Sequence, residues 1–185
     1  VSDFDNEYRF QGYQIYQMIN ESAGVSDITD LSKARLVAQC DKKNFKKDAN
    51  GNDLVNSPID RLVNFEFDEA LGFATPVEKE KGANTGIRHS FRVTEDQFAI
   101  GSKTLVNHKT YYFIALAYGY NEFKPYDPTD ASKLDGQKLP YIASRLSYDK
   151  SGIQAIPAVP HNPRPELGGT GMNWNRALSH LKDCC

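Results

Sequence analysis

The chain has 185 residues, of which 39% are hydrophobic and 11% aromatic, and its formal net charge is -2 at pH 7. This length suits one good hydrophobic core and is marginal for two, and the aromatic content is too high for a disordered chain. The weakly acidic balance provides no electrostatic footprint for nucleic acid, and no apolar run approaches the roughly 20 residues that span a bilayer.

Runs of apolar, aromatic and β-branched residues predict an all-β chain whose strands are separated by polar connections. In chain order, we predict strands at residues 9–18, 35–40, 61–67, 87–93, 109–119, 141–148 and 153–159. The connections are predicted to be a short helical turn before Leu36, a long polar loop over 41–60 and a charged connection over 75–84.

The last part of the chain has a different composition and forms a second region. Prolines follow one another closely after Pro157, and each fixes φ and removes a backbone donor, so a strand ladder is not expected there. Trp174 and Leu181 then fall at helical spacing. We therefore divide the chain into a β domain at 1–160 and a Pro/Gly-rich linker with a short C-terminal helix at 161–185.

The stretch from Leu105 to Tyr118 is the most informative in the chain. Side chains alternate between the two faces of a strand, and both faces are apolar here, which predicts a central strand covered on each side. Leu105 lies six residues before Tyr111, a spacing that suits the corner of a β-sandwich. At such a corner the tyrosine hydroxyl bonds back to the backbone a few residues upstream. We predict that Leu105 and Tyr111 form this structural corner.

At this spacing the chain resembles fibronectin type III modules. Leu105–Tyr118 is similar to their sixth strand, and Phe10–Tyr16 is similar to their third strand. Residues 86–93, 118–121 and 156–161 further resemble the fibronectin-like region of large surface proteins exported by bacterial type IX secretion. The resemblance covers roughly residues 8–165. It implies a fibronectin type III-like, or immunoglobulin-like, β-sandwich of about seven strands.

The family's first two strands have no counterpart in this chain. The resemblance therefore implies a sandwich that lacks its first strands, either because it is truncated or because a partner segment supplies them. The first residues also lack a starting Met and an apolar signal core, so we expect a processed or excised segment. A missing edge leaves backbone donors and acceptors for strand addition from another chain.

The resemblance implies a non-catalytic structural or adhesive module of a secreted or cell-surface bacterial protein, associated with the outer membrane. Its expected partners are other domains or chains of the same assembly, or protein or glycan at the cell surface. Two alternatives stay open: an accessory module of a secreted hydrolase, and a subunit of an outer-membrane assembly completed by strands from a partner. The sequence contains neither a nucleophile elbow nor a phosphate-binding loop, so we expect no enzyme activity.

Aromatic residues cluster at the end of the long strand and on the loop that follows it. The candidate binding residues are Tyr118, Tyr120, Phe123 and Tyr126. Tyrosine has an apolar ring and a polar tip, and it suits contact with sugars or proteins. The alternative is that these rings cover the core or pack on the tail.

One loop has the opening of a calcium-binding pattern. Its oxygen ligands at positions one, three and five are Asp48, Asn50 and Asn52. Position six is Asp53 instead of Gly, and position twelve is Ile59 instead of Glu, so an Asn/Asp/Gly turn is favoured. Calcium stays an alternative, and we expect no other cofactor.

Cysteine and histidine carry little chemistry in this sequence. The cysteines are Cys40, Cys184 and Cys185, and an odd number cannot form a closed set of intrachain disulfides. Cys40 is either a buried free thiol or the partner of one terminal cysteine. The histidines lack the paired spacing of a zinc site.

Overall fold

The computed structural model describes residues 7–48, 50–147 and 151–161, and this part of the chain is all-β. Two three-residue 3₁₀ turns, Val25–Asp27 and Ala131–Lys133, are its helical elements. The strands are β1 Arg9–Met18, β2 Ala34–Asp41, β3 Phe45–Lys47, β4 Asp53–Pro58, β5 Arg61–Asp68, β6 Phe73–Lys81, β7 Tyr111–Tyr120, β8 Tyr141–Ala143 and β9 Ile156–Ala158. The predicted tail helix and both terminal cysteines lie outside the described residues.

A central antiparallel sheet organises the molecule, in the order β2-β1-β7, with β8 and β9 both on the outer edge of β7. In the register of β1 and β7, Gly12 lies opposite Tyr118 and Met18 lies opposite Tyr112. β8 pairs with the C-terminal end of β7, and β9 pairs with its N-terminal end. Strands β3 and β4 form one separate hairpin, and β5 and β6 form another.

The predicted strands at 9–18, 35–40, 61–67 and 109–119 correspond to β1, β2, β5 and β7. Those predicted at 141–148 and 153–159 are shorter, as β8 and β9. Three predictions are wrong in detail. No strand forms over 87–93, the polar loop over 41–60 contains the β3–β4 hairpin, and the charged connection over 75–84 is mostly β6.

Cross-strand ion pairs explain why a charged segment forms β6. Arg61 Nε donates to Glu78 Oε2 at 2.6 Å, and Lys79 Nζ lies 2.7 Å from Glu66 Oε1. Opposite charges across an antiparallel pair stabilise it in place of apolar contacts. The segment over 87–93 makes a different contact, because the Arg88 N–H donates to Cys40 Sγ at 3.4 Å.

One face of the central sheet carries the hydrophobic core, in two clusters. The first contains Met18, Ala23, Ala34, Ile114 and Leu116, and the second contains Ile59, Leu62 and Tyr118. The connection between β1 and β2 covers the first cluster through Val25 and Ile28. The β5–β6 hairpin covers the second through Leu62. Burial of these side chains is the main stabilising contribution to the fold.

The opposite face is only partly covered. The Gln17 amide donates to Asp96 Oδ1 at 2.7 Å, and Lys109 Nζ lies 2.9 Å from Asp96 Oδ2, so the irregular segment before β7 is tied to the sheet. The prediction that β7 is covered on both faces is wrong in the middle of the strand, because Ala115 is exposed. The segment covers this face at Gln17 and places His89 beside Tyr13, with ring centroids 6.3 Å apart, and it leaves Ala115 exposed.

The tyrosine corner predicted at Leu105 and Tyr111 joins the Tyr111 hydroxyl to the backbone of the preceding loop. The Val106 N–H donates to the Tyr111 hydroxyl at 2.8 Å, and Tyr111 is buried while Leu105 is half-buried. This is the type of backbone contact that the corner requires. Lys109 Nζ lies 4.8 Å from the centroid of the Tyr111 ring and adds a cation–π contact.

Substituting Tyr111→Phe removes this hydrogen bond and keeps the ring. We expect a loss of roughly 0.5–1.5 kcal/mol in the free energy of unfolding, measured by urea denaturation. Tyr112→Phe on the same strand is the matched control, since no hydrogen bond of the Tyr112 hydroxyl is seen within the described ranges. Equal effects of the two substitutions would contradict a stabilising corner.

Gly12 permits the close packing of the three central strands. A Cβ at this position would lie 2.5 Å from the Tyr118 hydroxyl and would also collide with the backbone carbonyl of Cys40. Only a residue without a side chain lets Tyr118 cross above β1.

Gly12→Ala should therefore destabilise the protein by about 1–3 kcal/mol, because it overpacks a backbone position that cannot move alone. Gly24→Ala is the matched control: no atom lies within 4 Å of its added Cβ and its φ is -126°. Chemical denaturation of both variants measures the difference. A tolerated Gly12→Ala would show that Tyr118 can leave this site at little cost.

Candidate functional site

Tyr118 does not belong to an exposed aromatic cluster, so its prediction as a binding residue is corrected. It is 2% exposed, and its ring centroid lies 5.3 Å from that of Tyr141. Alternation along β7 places it on the covered face, opposite Gly12. Tyr118 is therefore a core residue and not part of an exposed aromatic surface.

The other three predicted binding residues attach the loop after β7 to the body of the protein. The Tyr120 hydroxyl donates to Glu122 Oε2 at 2.8 Å, and burial together with the Glu122 charge raises the pKa of Tyr120. Tyr126 meets Phe65 edge-to-face at 4.8 Å. Phe123 is half-buried. The four aromatic residues do not form one surface, and packing is their main observed role.

The loop that opens like a calcium-binding pattern is a turn closed by the side chain of Asp48. Asp48 Oδ1 accepts from the backbone N–H of Asn50 at 2.8 Å and from that of Asn52 at 2.9 Å. Asp48 Oδ2 also accepts from the Asn52 amide at 3.2 Å. This is an Asx-type turn, in which the carboxylate holds the loop. Across the described residues, no three His, Cys, Asp or Glu side chains converge as metal ligands.

Cys40 is buried at the end of β2, and its Sγ donates to the Arg88 carbonyl at 3.6 Å. The buried thiol that the sequence left open as one alternative agrees with this position.

The candidate interaction site is the face of the central sheet opposite the core, which we call the open face. It is formed by Phe10, Tyr13, Ala115, Ala117, Ile142 and Ile156. Phe10 is 44% exposed, Ile142 50% and Ile156 63%, although all three lie on or beside paired strands. Large apolar side chains on a regular sheet are normally buried by a second layer.

The shape of the open face comes from the alternation of small and large residues. Ala115, Ala117 and Gly119 follow one another on this face of β7 and form a low floor. Phe10 and Tyr13 form a wall with ring centroids 4.9 Å apart. Between this wall and β8 lies an open groove of about 320 Å³, lined by Tyr8, Phe10, Ala117, Tyr118, Gly119, Ile142, Ala143 and Ser144.

The lining of this groove lacks a charged side chain, so its chemistry is that of apolar contact. Sequence reasoning missed the open face because both faces of β7 read as apolar. The run of small residues at Ala115, Ala117 and Gly119 was the available signal, but it does not reveal which face is covered.

A second feature missed by sequence reasoning is a buried acidic pocket beside the core. Asp41, Glu80 and Tyr118 are 1%, 2% and 2% exposed. Neither carboxylate oxygen of Glu80 has a hydrogen-bond partner among the described residues, and nor does the Tyr118 hydroxyl. Burial, and then the Asp41 charge, raise the pKa of Glu80 to about 7.

Comparisons with protein-family models, with curated proteins and with solved structures found no match to this chain. Within residues 7–48, 50–147 and 151–161, no helix has the length and apolar character to cross a membrane.

Tyr118, which is buried, and Tyr141, which is half-buried against it, are predicted to respond differently to loss of the hydroxyl. Tyr141→Phe should cost roughly 0.5–1.5 kcal/mol, because the Tyr141 hydroxyl donates to Gln14 Oε1 at 2.7 Å. Tyr118→Phe should be neutral or stabilising in metal-free buffer, because it removes a buried polar group without a partner. Urea denaturation in the presence of a chelator measures both. A larger loss for Tyr118→Phe would mean that its hydroxyl is hydrogen-bonded.

Proposed function

We propose that this chain is a fibronectin type III-like, non-catalytic module of a secreted or cell-surface bacterial protein. Its open face docks against a second antiparallel sheet that belongs to another domain or chain of the same assembly. The observation that carries this proposal is the exposure of Ala115 in the middle of β7, and of Phe10 and Ile142 nearer its end, on the face of the sheet opposite the packed core.

The strand order supports the family part of the proposal. In a sandwich of this type the third, sixth and seventh strands share one sheet, with the sixth in the middle. The segments that resemble the third and sixth strands are β1 and β7, and they pair along their whole length. Strands β8 and β9 continue the sheet where a seventh strand would pair.

The chemistry of the open face supports a second sheet as its partner. Packed sheets lie about 10 Å apart, and side chains from each inner face fill the space between them. The floor at Ala115 and Ala117 can receive large side chains from an opposite layer, and Phe10 and Ile142 would fill gaps in that layer. A protein partner is favoured over glycan because Tyr120 and Tyr126 are engaged in packing.

Site-specific photo-crosslinking in the native protein tests this contact. A crosslinking residue at position 115 should capture a β-rich segment of a neighbouring domain or chain, which mass spectrometry identifies. The same group at Val55, which is 70% exposed on the separate β3–β4 hairpin, is the control. The docking proposal would be contradicted if position 115 captured no segment, or if positions 115 and 55 captured the same segment.

Ala115→Glu provides the matched functional variant. In the isolated chain it should change the free energy of unfolding by no more than about 0.5 kcal/mol, because the position is exposed. In the native assembly it should weaken the contact, because docking would bury an unpaired charge. Protease resistance of the assembly measures this weakening. Hydrolysis of polysaccharide or peptide by the purified chain would contradict the non-catalytic assignment.

A further inference from the structure

The buried acidic pocket has the chemistry of a cation site and is independent of the open face. Asp41 at the end of β2 and Glu80 near the end of β6 converge on Gly82. A Cβ at Gly82 would lie 2.5 Å from Asp41 Oδ2 and would also collide with Glu80 Oε1. Gly82 is therefore needed for two carboxylates to share this space.

The negative charge of the pocket is not compensated by a basic side chain among the groups that act on Glu80. The charged groups that raise the pKa of Glu80 are all acidic, namely Asp41, Asp60 and Glu78. Two buried carboxylates at one position repel each other, and each also loses hydration. Glu80 is 2% exposed, and neither of its carboxylate oxygens makes a well-formed hydrogen bond within the described residues. The nearby Tyr118 hydroxyl lowers the pKa of Glu80, but burial and the acidic neighbours outweigh this effect.

The Tyr118 hydroxyl is a second buried oxygen beside Glu80 that lacks a well-formed hydrogen bond. Tyr118 is 2% exposed, and its hydroxyl lies over Gly12, the residue of β1 that pairs with Asp41 on one side and with Tyr118 on the other. Burial raises the pKa of Tyr118, and the charges of Glu80 and Asp41 raise it further, in agreement with the contacts at Gly12 and Gly82. Buried polar groups in native proteins are normally satisfied, in many cases by an ion or water.

We propose that this pocket binds one calcium ion, held by the carboxylates of Asp41 and Glu80 with the Tyr118 hydroxyl as a further oxygen donor. The donors are all oxygens, which is the preference of a hard divalent cation, and calcium tolerates irregular geometry and carbonyl or water ligands better than magnesium does. One divalent ion neutralises the two carboxylates.

The contacts of Asp41 show how the ion would act on the fold. Asp41 Oδ1 accepts from the Ala83 N–H at 3.2 Å, and Asp41 Oδ2 accepts from the Asn84 N–H at 2.6 Å. These bonds leave each oxygen a further acceptor direction. The same carboxylate therefore connects the pocket to the loop after β6, and the ion should order that loop.

Calcium titration of the full chain at pH 7.5, after removal of metal with a chelator, tests the proposal. Saturating calcium should raise the melting temperature of the wild type by roughly 5 °C, as expected for ligand at about 100 times its Kd. Hydrogen exchange at Ala83 and Asn84 should become slower. Terbium should bind at the same site and luminesce on tyrosine excitation, with a large loss of signal in Tyr118→Phe.

Two variants locate the ion. Glu80→Gln keeps the shape of the side chain and removes its charge, so it should fold and should lose the calcium-dependent rise in melting temperature. Asp48→Asn changes the other candidate loop and should keep the full rise. No response of the wild type to calcium, or a response that survives Glu80→Gln, would overturn the proposal. A rise of the same size with magnesium would overturn the choice of calcium.

Discussion

The pairing of β1 with β7 is the constraint on which the rest of the structure depends. The two strands are paired from Arg9 with Tyr120 to Met18 with Tyr112, and β2, β8 and β9 attach to their outer edges. Gly12 allows this pairing to coexist with the Tyr118 ring above it. The hydrophobic core and the open face are the two sides of the same pair of strands, and the acidic pocket lies at the end of β2 beside it.

The central strands were predictable because their apolar pattern is dense. β1 and β7 have neighbouring strands on both edges. Aromatic and aliphatic residues recur along both strands, and the polar residues between them are too few to obscure a strand pattern. The strands of the two hairpins carry a weaker pattern. β6 contains Lys79 and Glu78, whose ion pairs with β5 replace apolar contacts, and this type of stabilisation has no period in the sequence. The alternation over 87–93 was misleading because a pattern does not specify a pairing partner.

The sites were harder to predict than the strands, for two physical reasons. An apolar sequence indicates that both faces of a strand avoid water. Which face the chain itself covers depends on the three-dimensional packing. For this reason the sequence did not distinguish Tyr118, which is buried, from Ala115, which is exposed. The acidic pocket depends on contact between Asp41 and Glu80, which belong to different strands of different sheets. Neither residue has a local sequence motif, so their convergence on Gly82 appears only after the chain is folded.

The register of the central sheet also has a consequence for synthesis on the ribosome. β1 must remain without its main partner until β7 has been made, roughly a hundred residues later, since Met18 pairs with Tyr112. At translation rates of about 5–20 residues per second, this delay lasts for several seconds. During that time β1 can pair with β2 but not with β7. The edge of β1 that later pairs with β7 then exposes its backbone donors and acceptors, beside Phe10 and Ile15. Until β7 is made, this unpaired edge of β1 is therefore open to incorrect strand pairing.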